Sequence, residues 1–453
     1  MKTITSAGIF SLLTLWAANA QIQVRPLPHP GYEERIRQAV ENIRLIDTHE
    51  HLMSEKEALN NVNTFGCLFE NYQWCDMNSS GLLKNAGTEW EKIKDAWDAA
   101  STTGYGRSSL VTARELYGID NLNENTIEEL NAKIRTMHQP GYYYKVLKDL
   151  SRIDLCIIIG HQNPVEDQDT SLFKSLFPVN GLCYFSDDFD KQTFTFKRAR
   201  EWHSRYSNNV NSLGDYEQMI DKAFRSEIEK GIIGAKVGWA YSRTLYCEDV
   251  PRERAEKIFN KMKASPDRIF TLEEVKPLQD YLFFKVMEHC GKYNLPVQIH
   301  TGLQTYNGNY ITYSNPTHLA NVFFKFPKVK FCLLHAAYPY GGELATLAKN
   351  FPNVYIDMAW SQIISPSYMA RYLREFLETV PNNKIMAFGG DCAYVEGTFG
   401  GAIIARQIVA GCLAEMVHDG YFTEQEAIEV AGKLLRKNAI ACYNLKYPDS
   451  PVK

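Results

Sequence analysis

VKFCLLHAAYPYGGELATLAKNFPNVYIDMAW, residues 329–360, decides the fold class of this chain. Its two apolar runs, 329–335 and 353–359, have the length and composition of strands that are buried on both faces. The segment ELATLAKNF between them has the spacing of an amphipathic helix. A strand, a helix and a second strand in this order are typical of a parallel βαβ unit.

Apolar runs of the same kind recur along the chain, and there are eight of them. They are RLID (44–47), LCIIIG (155–160), LCYFSD (182–187), IIGAKVGWA (232–240), PVQIH (296–300), VKFCLLH (329–335), NVYIDMA (353–359) and IMAFGGD (385–391). Eight parallel strands with intervening helices close into a (β/α)8 barrel of the TIM type. A doubly wound open sheet shows the same alternation, but no GxGxxG or P-loop follows any run, which removes its usual nucleotide-binding function.

The longest interval between two runs follows the first one. Residues 53–150 contain no convincing strand and are rich in helical patterns such as EWEKIKDAWDAA and ENTIEELNAKIRTM. We therefore predict an α/β fold, a (β/α)8 barrel with a helical insertion after strand 1. Such an insertion lies on the catalytic face, where it is either a lid or substrate wall, or a decoration without a role in catalysis. Near the C-terminus, Thr423 and Glu426 predict a capping box that opens a long helix.

The N-terminus has the features of a cleavable signal peptide. Residues 1–20 combine one Lys, an apolar stretch and the small-residue pattern Ala18-Asn19-Ala20, which a signal peptidase accepts. We expect residues 21–453 to form the mature barrel in the periplasm or outside the cell, with a retained N-terminal anchor as the alternative. No later stretch has the uninterrupted apolar length of a membrane span, so no membrane contact is expected after cleavage.

Composition excludes several classes of partner. The net charge of −4 and the absence of a Lys/Arg block argue against nucleic acid and anionic lipid, so a small-molecule substrate is expected. The ten cysteines include no CxxC, and several of them, such as Cys156 and Cys332, lie in apolar runs. We interpret most of them as buried core thiols. Whether the chain forms a homo-oligomer is left open.

Four histidines and one aspartate lie at the ends of predicted strands. His49 and His51 follow RLID, and residues i and i+2 of a strand share a face. His300, His335 and Asp391 end the fifth, sixth and eighth runs. The strand tips of a barrel converge on one ring, where the catalytic residues of this fold lie. Imidazoles and a carboxylate on that ring predict a site for a divalent metal such as zinc or manganese.

Further polar residues near the strand tips are candidates for substrate binding. Lys236, near the end of the fourth run, is costly to bury unless it is paired or modified. It therefore binds a substrate carboxylate, serves the metal, or forms a structural ion pair. Tyr241 and Arg243 follow it, and His161 follows the second run. We predict substrate contacts for all four residues.

These motifs resemble those of the amidohydrolase superfamily, and within it the amidohydrolase-related branch that includes metal-dependent decarboxylases. The matching segments are DTHEHL, GIIGAKVG, PVQIHTG, FCLLHAAYPY, NVYIDMAW and FGGDCAY, in this order along the barrel. The resemblance implies a metal site made of four strand-tip residues, namely His49, His51, His300 and Asp391.

The same resemblance assigns roles to two more residues. It implies that His335 is either a ligand of a second metal or a catalytic acid/base. Lys236 occupies a plausible position for the lysine that is carbamylated and bridges the ions in two-metal members. One ion, Zn²⁺ in the first instance, is favoured over two. The chain departs from the decarboxylase-like branch in its long insertion, which resembles that of uronate isomerases, and in ending the eighth strand with GGDCAYVEG.

The activity that follows is metal-dependent hydrolysis of an amide, ester or lactone bond in a small molecule. Asp391 would accept the proton of a metal-activated water and return it to the leaving group, while His335 would steady the oxyanion. Lys236 or Arg243 would hold a substrate carboxylate. A decarboxylase or a sugar-acid isomerase on the same barrel is the alternative. A binding protein without activity is disfavoured because the inferred ligand set is complete.

Overall fold

The computed structural model describes residues 29–69, 71–159, 169, 171–183 and 194–447. Eight parallel strands pair in chain order in these residues. They are β1 (Leu45–Glu50), β2 (Ile153–Ile159), β3 (Phe173–Pro178), β4 (Gly234–Val237), β5 (Val297–Ile299), β6 (Phe331–Leu333), β7 (Val354–Asp357) and β8 (Ile385–Met386). Thr48 N donates to Phe388 O at 3.2 Å, so the segment after β8 returns to β1. The predicted (β/α)8 barrel is confirmed.

Helices lie between most of the successive strands and pack around the barrel. In chain order they are α1 (Tyr32–Asn42), α2 (Glu55–Asn61), α3 (Asn71–Ser79), α4 (Trp90–Ala100), α5 (Gly104–Tyr117), α6 (Ile127–Met137), α7 (Asn180–Cys183), α8 (Phe196–His203), α9 (Leu213–Glu229), α10 (Arg252–Ala264), α11 (Leu272–Lys292), α12 (Ala320–Lys325), α13 (Gly341–Asn350), α14 (Ser361–Ile364), α15 (Pro366–Thr379), α16 (Val395–His418), α17 (Glu424–Gly432) and α18 (Asn438–Cys442). The predicted capping box of Thr423 and Glu426 opens α17, and the same device at Thr271 and Glu274 opens α11.

Of the four apolar clusters in the described residues, two contain most of the buried side chains. The larger one lies mainly between the strands and the surrounding helices, and every residue of β2 is buried. The smaller one lies inside the insertion, where the rings of Phe69 and Trp97 stack with centroids 4.6 Å apart. The described residues between β1 and β2 contain helices and no strand, so the predicted helical insertion is confirmed and has a core of its own.

Two strand predictions need correction. The third strand is β3 rather than 182–187, because Leu182 and Cys183 lie in α7, while 184–187 lie outside the described residues. Lys174 and Ser175 interrupt the apolar pattern of β3, which concealed it in the sequence. β4 is also shorter than the predicted 232–240, because the chain turns into a 3-10 segment at Trp239–Tyr241.

Most of the cysteines and most of the apolar surface of α16 are buried in the core. Nine of the ten cysteines are buried, and Cys75 is half-buried, which confirms their interpretation as core thiols. Among the described residues, α16 is long and apolar enough by composition to cross a membrane. Since 72% of its apolar window is buried inside the fold, it has the environment of a core helix.

Candidate metal centre

The tips of β1, β5, β6 and β8 converge as predicted, and three side chains meet there most closely. Ligand atoms of His49, His51 and Asp391 all lie within 4.8 Å of one another. Asp391 Oδ1 lies 3.4 Å from His49 Nε2 and 3.2 Å from His51 Nε2. The His51 side chain is 30% exposed, whereas the other two are buried. The three atoms therefore surround one point, and His51 is the one of the three side chains that solvent contacts appreciably.

Gln298 fixes the protonation of His49. Its side-chain amide donates to Thr48 O at 2.6 Å and to Tyr443 Oη at 2.7 Å, so its Oε1 is the acceptor 2.7 Å from His49 Nδ1. Nδ1 therefore carries the hydrogen, and Nε2 presents its lone pair toward Asp391. Burial lowers the pKa of His49 to about 3, so the ring is neutral at neutral pH. A neutral imidazole with its outer nitrogen hydrogen-bonded is the form that binds a metal.

His300 and His335 form a second pair beside this group. His335 Nδ1 lies 3.0 Å from Ala359 O, and His300 Nε2 lies 2.8 Å from Leu303 O, so each ring donates its outer N–H to a backbone carbonyl. Their inner nitrogens, His335 Nε2 and His300 Nδ1, face each other at 3.0 Å. Both carry lone pairs in neutral rings, so a proton or a metal ion is required between them. This donor set fits a divalent cation, although His300 faces His335 rather than the first three ligands.

Lys236 and Asp391 connect the two groups. Lys236 Nζ lies 3.5 Å from His49 Nε2, and burial lowers the pKa of this amine to about 8. An easily deprotonated lysine suits both metal ligation and carbamylation. Asp391 Oδ1 faces His49 and His51, whereas its Oδ2 lies 3.6 Å from His335 Nδ1. One oxygen can thus bind a metal while the other lies beside the ring of His335.

The acidic residues of DTHEH hold the loop that carries Asp391. Asp47 Oδ1 accepts a hydrogen bond from Gly390 N at 3.2 Å, and Glu50 Oε2 accepts one from Cys392 N at 2.6 Å. The other Glu50 oxygen accepts a hydrogen bond from a threonine hydroxyl of α16 at 2.7 Å. Asp391 itself has a φ of 57°, in the left-handed region that a non-glycine residue adopts only when its surroundings hold it there. The two carboxyls therefore act as a clamp on the metal-site loop.

Sequence reasoning missed this clamp and two aromatic neighbours of the site. Burial raises the pKa of Asp47 to about 7 and that of Glu50 above its usual range. Tyr72 Oη, from the insertion, donates to the backbone carbonyl of Asp391. The ring of Trp360 stands edge-on to that of His335, with centroids 5.1 Å apart. Acidic residues on a buried strand were the available signal for the clamp, because burying them without partners is costly.

The predicted substrate-binding residues differ in their distance from the metal centre. Lys236 reaches the site, and the ring of Tyr241 packs beside it against His300, with centroids 4.8 Å apart. Arg243 is a correction, because it is fully buried with Nη2 2.6 Å from Asp280 Oδ1. Three further guanidinium N–H groups donate to protein oxygens, so this residue forms a buried structural ion pair rather than a substrate contact. His161 lies outside the described residues.

Comparison with known proteins agrees with this geometry. Residues 238–445 match the family model described as Amidohydrolase. The barrel resembles those of the amidohydrolase superfamily. The matched residues include the tips of β5, β6 and β8, so the resemblance expected from the strand-tip motifs is confirmed.

Two curated relatives match different lengths of this chain. Protein fluG of Emericella nidulans is 26% identical over 381 residues, which are 80% of this chain and 39% of that protein. The uronate isomerase of Rhizorhabdus wittichii is 31% identical over 106 residues, 23% of either chain. This chain therefore spans less than half the length of both curated relatives.

One solved structure shows how far the fold is shared. The uronate isomerase of Thermotoga maritima superposes with a TM-score of 0.72 at 16% identity, covering 92% of this chain and 98% of that one. The two chains therefore share a fold along most of their length.

Proposed function

We propose that this chain is a metal-dependent hydrolase that cleaves an amide, ester or lactone bond of a small molecule. The observation that supports this most is the division of the Asp391 carboxylate, whose Oδ1 faces His49 and His51 and whose Oδ2 faces His335. Such a carboxylate can bind a cation and carry a proton. A divalent cation, Zn²⁺ in the first instance, supplies Lewis acidity that lowers the pKa of water toward about 7 and polarises the scissile carbonyl.

The side chains around the cation perform the proton transfers. Asp391 takes the proton of the attacking water and returns it to the leaving amine or alkoxide. His335 steadies the oxygen on which negative charge develops. Lys236 holds a carboxylate of the substrate. Arg243, which we expected as a second anchor, has no part in this proposal because its ion pair is internal.

We propose one ion, held by His49, His51 and Asp391. The facing nitrogens of His300 and His335 offer a second position, which a carbamylated Lys236 would help to hold. Metal analysis during titration of metal-free protein distinguishes the two arrangements. A ¹³C resonance of a lysine carbamate after incubation with labelled bicarbonate, together with a second bound ion, would select the two-metal arrangement.

A panel of amides, esters and lactones tests hydrolysis directly. The zinc-loaded wild type should release amine, alcohol or acid from at least one class. His51→Ala should lose this activity because it removes a ligand, whereas His418→Ala, on the C-terminal end of α16, should keep it. Carbon dioxide release or aldose-to-ketose conversion without any hydrolysis would contradict the proposal.

A sugar-acid isomerase is the second candidate. It is favoured by 31% identity over 106 residues to one uronate isomerase and by a fold shared with another along most of the chain. In that case the cation would hold a vicinal hydroxyl and carbonyl while Asp391 and His335 moved the proton between the two carbons. Incubation with aldohexuronates, followed by NMR for the keto sugar, decides between the candidates.

We also propose that the protein is exported, on the sequence features of residues 1–20. Expression of the full chain with fractionation of the cells tests this. The protein recovered from the periplasm or the medium should begin at Gln21. Recovery of a chain that retains Met1 from the cytoplasm would contradict export.

A further inference from the structure

A second group of potential ligands lies where the insertion contacts the barrel. Cys67 lies in the 3-10 segment Phe65–Leu68 and His138 directly follows α6, both within the insertion, whereas Glu396 lies in the first turn of α16. One ligand atom of each residue lies within 4.8 Å of the other two. All three side chains are more than nine-tenths buried. The proposed hydrolysis uses none of them.

His138 is hydrogen-bonded through one ring nitrogen. Its Nε2 lies 2.7 Å from Glu396 Oε1, so these two atoms can bind one cation that replaces the hydrogen between them. Imidazole nitrogen and carboxylate oxygen are both zinc ligands in proteins.

Glu396 lacks a full counter-charge in the same place. Besides His138, its Oε1 accepts hydrogen bonds from Tyr117 Oη at 3.0 Å and Tyr142 Oη at 2.9 Å, which are neutral donors. Within the described part of the chain, its ion-pair partner is the imidazole of His138 and no lysine or arginine. One thiolate and one carboxylate would neutralise a divalent cation, so the buried cluster would carry no net charge with the ion bound.

We propose that Cys67, His138 and Glu396 bind a structural Zn²⁺ ion that fastens the insertion to the barrel. Sulfur, imidazole and carboxylate are the ligands that zinc takes in proteins, whereas magnesium and calcium prefer oxygen alone. Two ligands come from the insertion and one from the helix that begins just after the loop of Asp391. The ion therefore connects the insertion to the helix that follows the metal-site loop.

Cobalt substitution of the full chain tests this site apart from the one at the barrel mouth. Cobalt-loaded wild type should show a thiolate-to-cobalt charge-transfer band in the near ultraviolet, which Cys67→Ser should lose. Cys412→Ser, a buried cysteine further along α16, should keep the band. His49→Ala, which loses a ligand of the first centre, should also keep it, so the two sites fail independently.

Zinc measurements give a second, independent readout. Wild type should bind one more equivalent of zinc than Cys67→Ser, and its X-ray absorption should show zinc–sulfur scattering at about 2.3 Å. The scattering measurement needs only the wild type, so it decides the matter even where Cys67→Ser does not fold. Absence of both the band and the sulfur scattering in wild type, or an unchanged band in folded Cys67→Ser, overturns the proposal.

Discussion

Replacing Gln298 with leucine tests how the fold prepares His49 for metal binding. The change removes the acceptor 2.7 Å from His49 Nδ1 and the donor to Thr48 O at 2.6 Å. It also removes a hydrogen bond to Tyr443 Oη, but a hydroxyl can rotate toward another partner. Because these residues are buried, the groups left behind cannot turn to water instead.

The substitution should lower both the free energy of unfolding and the affinity for metal. His49 Nδ1 and Thr48 O lose their partners, and at about 1–3 kcal/mol for each buried group the free energy of unfolding should fall by about 2–6 kcal/mol. Without the Gln298 acceptor, the tautomer that presents His49 Nε2 is no longer favoured. Loss of such an outer partner weakens metal affinity by about 10–100-fold.

Denaturant unfolding of the metal-free protein measures the free energy of unfolding, and competition with a chromophoric chelator measures the metal affinity. Gln298→Glu is the matched control, because it keeps an acceptor toward His49 Nδ1 and should bind metal more tightly than Gln298→Leu. A folded Gln298→Leu protein with wild-type metal affinity would refute the role assigned to this hydrogen bond.

Other changes test the clamp, the internal ion pair and the metal requirement. A Cβ at Gly390 would lie 1.9 Å from Glu50 Oε1. Gly390→Ala should therefore reduce metal affinity by about 10-fold or more in the same competition assay. Gly342→Ala is the control, because its Cβ meets no atom within 4 Å, and it should leave metal affinity unchanged. Arg243→Met should lower the free energy of unfolding by about 3 kcal/mol, because Asp280 stays buried with one lysine as its remaining charged partner. The metal content should not change. An unaltered unfolding midpoint would contradict the structural role of Arg243. Chelation should abolish hydrolysis and added Zn²⁺ should restore it, whereas full activity in protein shown by elemental analysis to be metal-free would exclude metal dependence.

The barrel could be predicted where local sequence determines it. β2, β5, β6 and β7 lie in apolar runs, so burial on both faces is visible in the residues themselves. β3 was missed because Lys174 and Ser175 interrupt its pattern, and only the neighbouring strands show that it belongs to the sheet.

Three residues of the candidate metal centre could also be predicted from local sequence. His49, His51 and Asp391 lie at strand tips, so their convergence follows from barrel topology alone. The role of Arg243 was not predictable, because Asp280 lies 37 residues away on α11 and their pairing depends on tertiary packing. The clamp on Asp391 likewise joins opposite ends of the barrel sequence.

Anomalous diffraction from a crystal of the zinc-loaded protein, recorded on both sides of the zinc absorption edge, tests the metal centre most directly. We predict an anomalous peak for one zinc ion within bonding distance of His49 Nε2, His51 and Asp391 Oδ1. The same peak should be absent from His49→Ala crystals. A fully zinc-loaded crystal of the active protein with no peak among these three residues would contradict the metal centre and the function proposed from it.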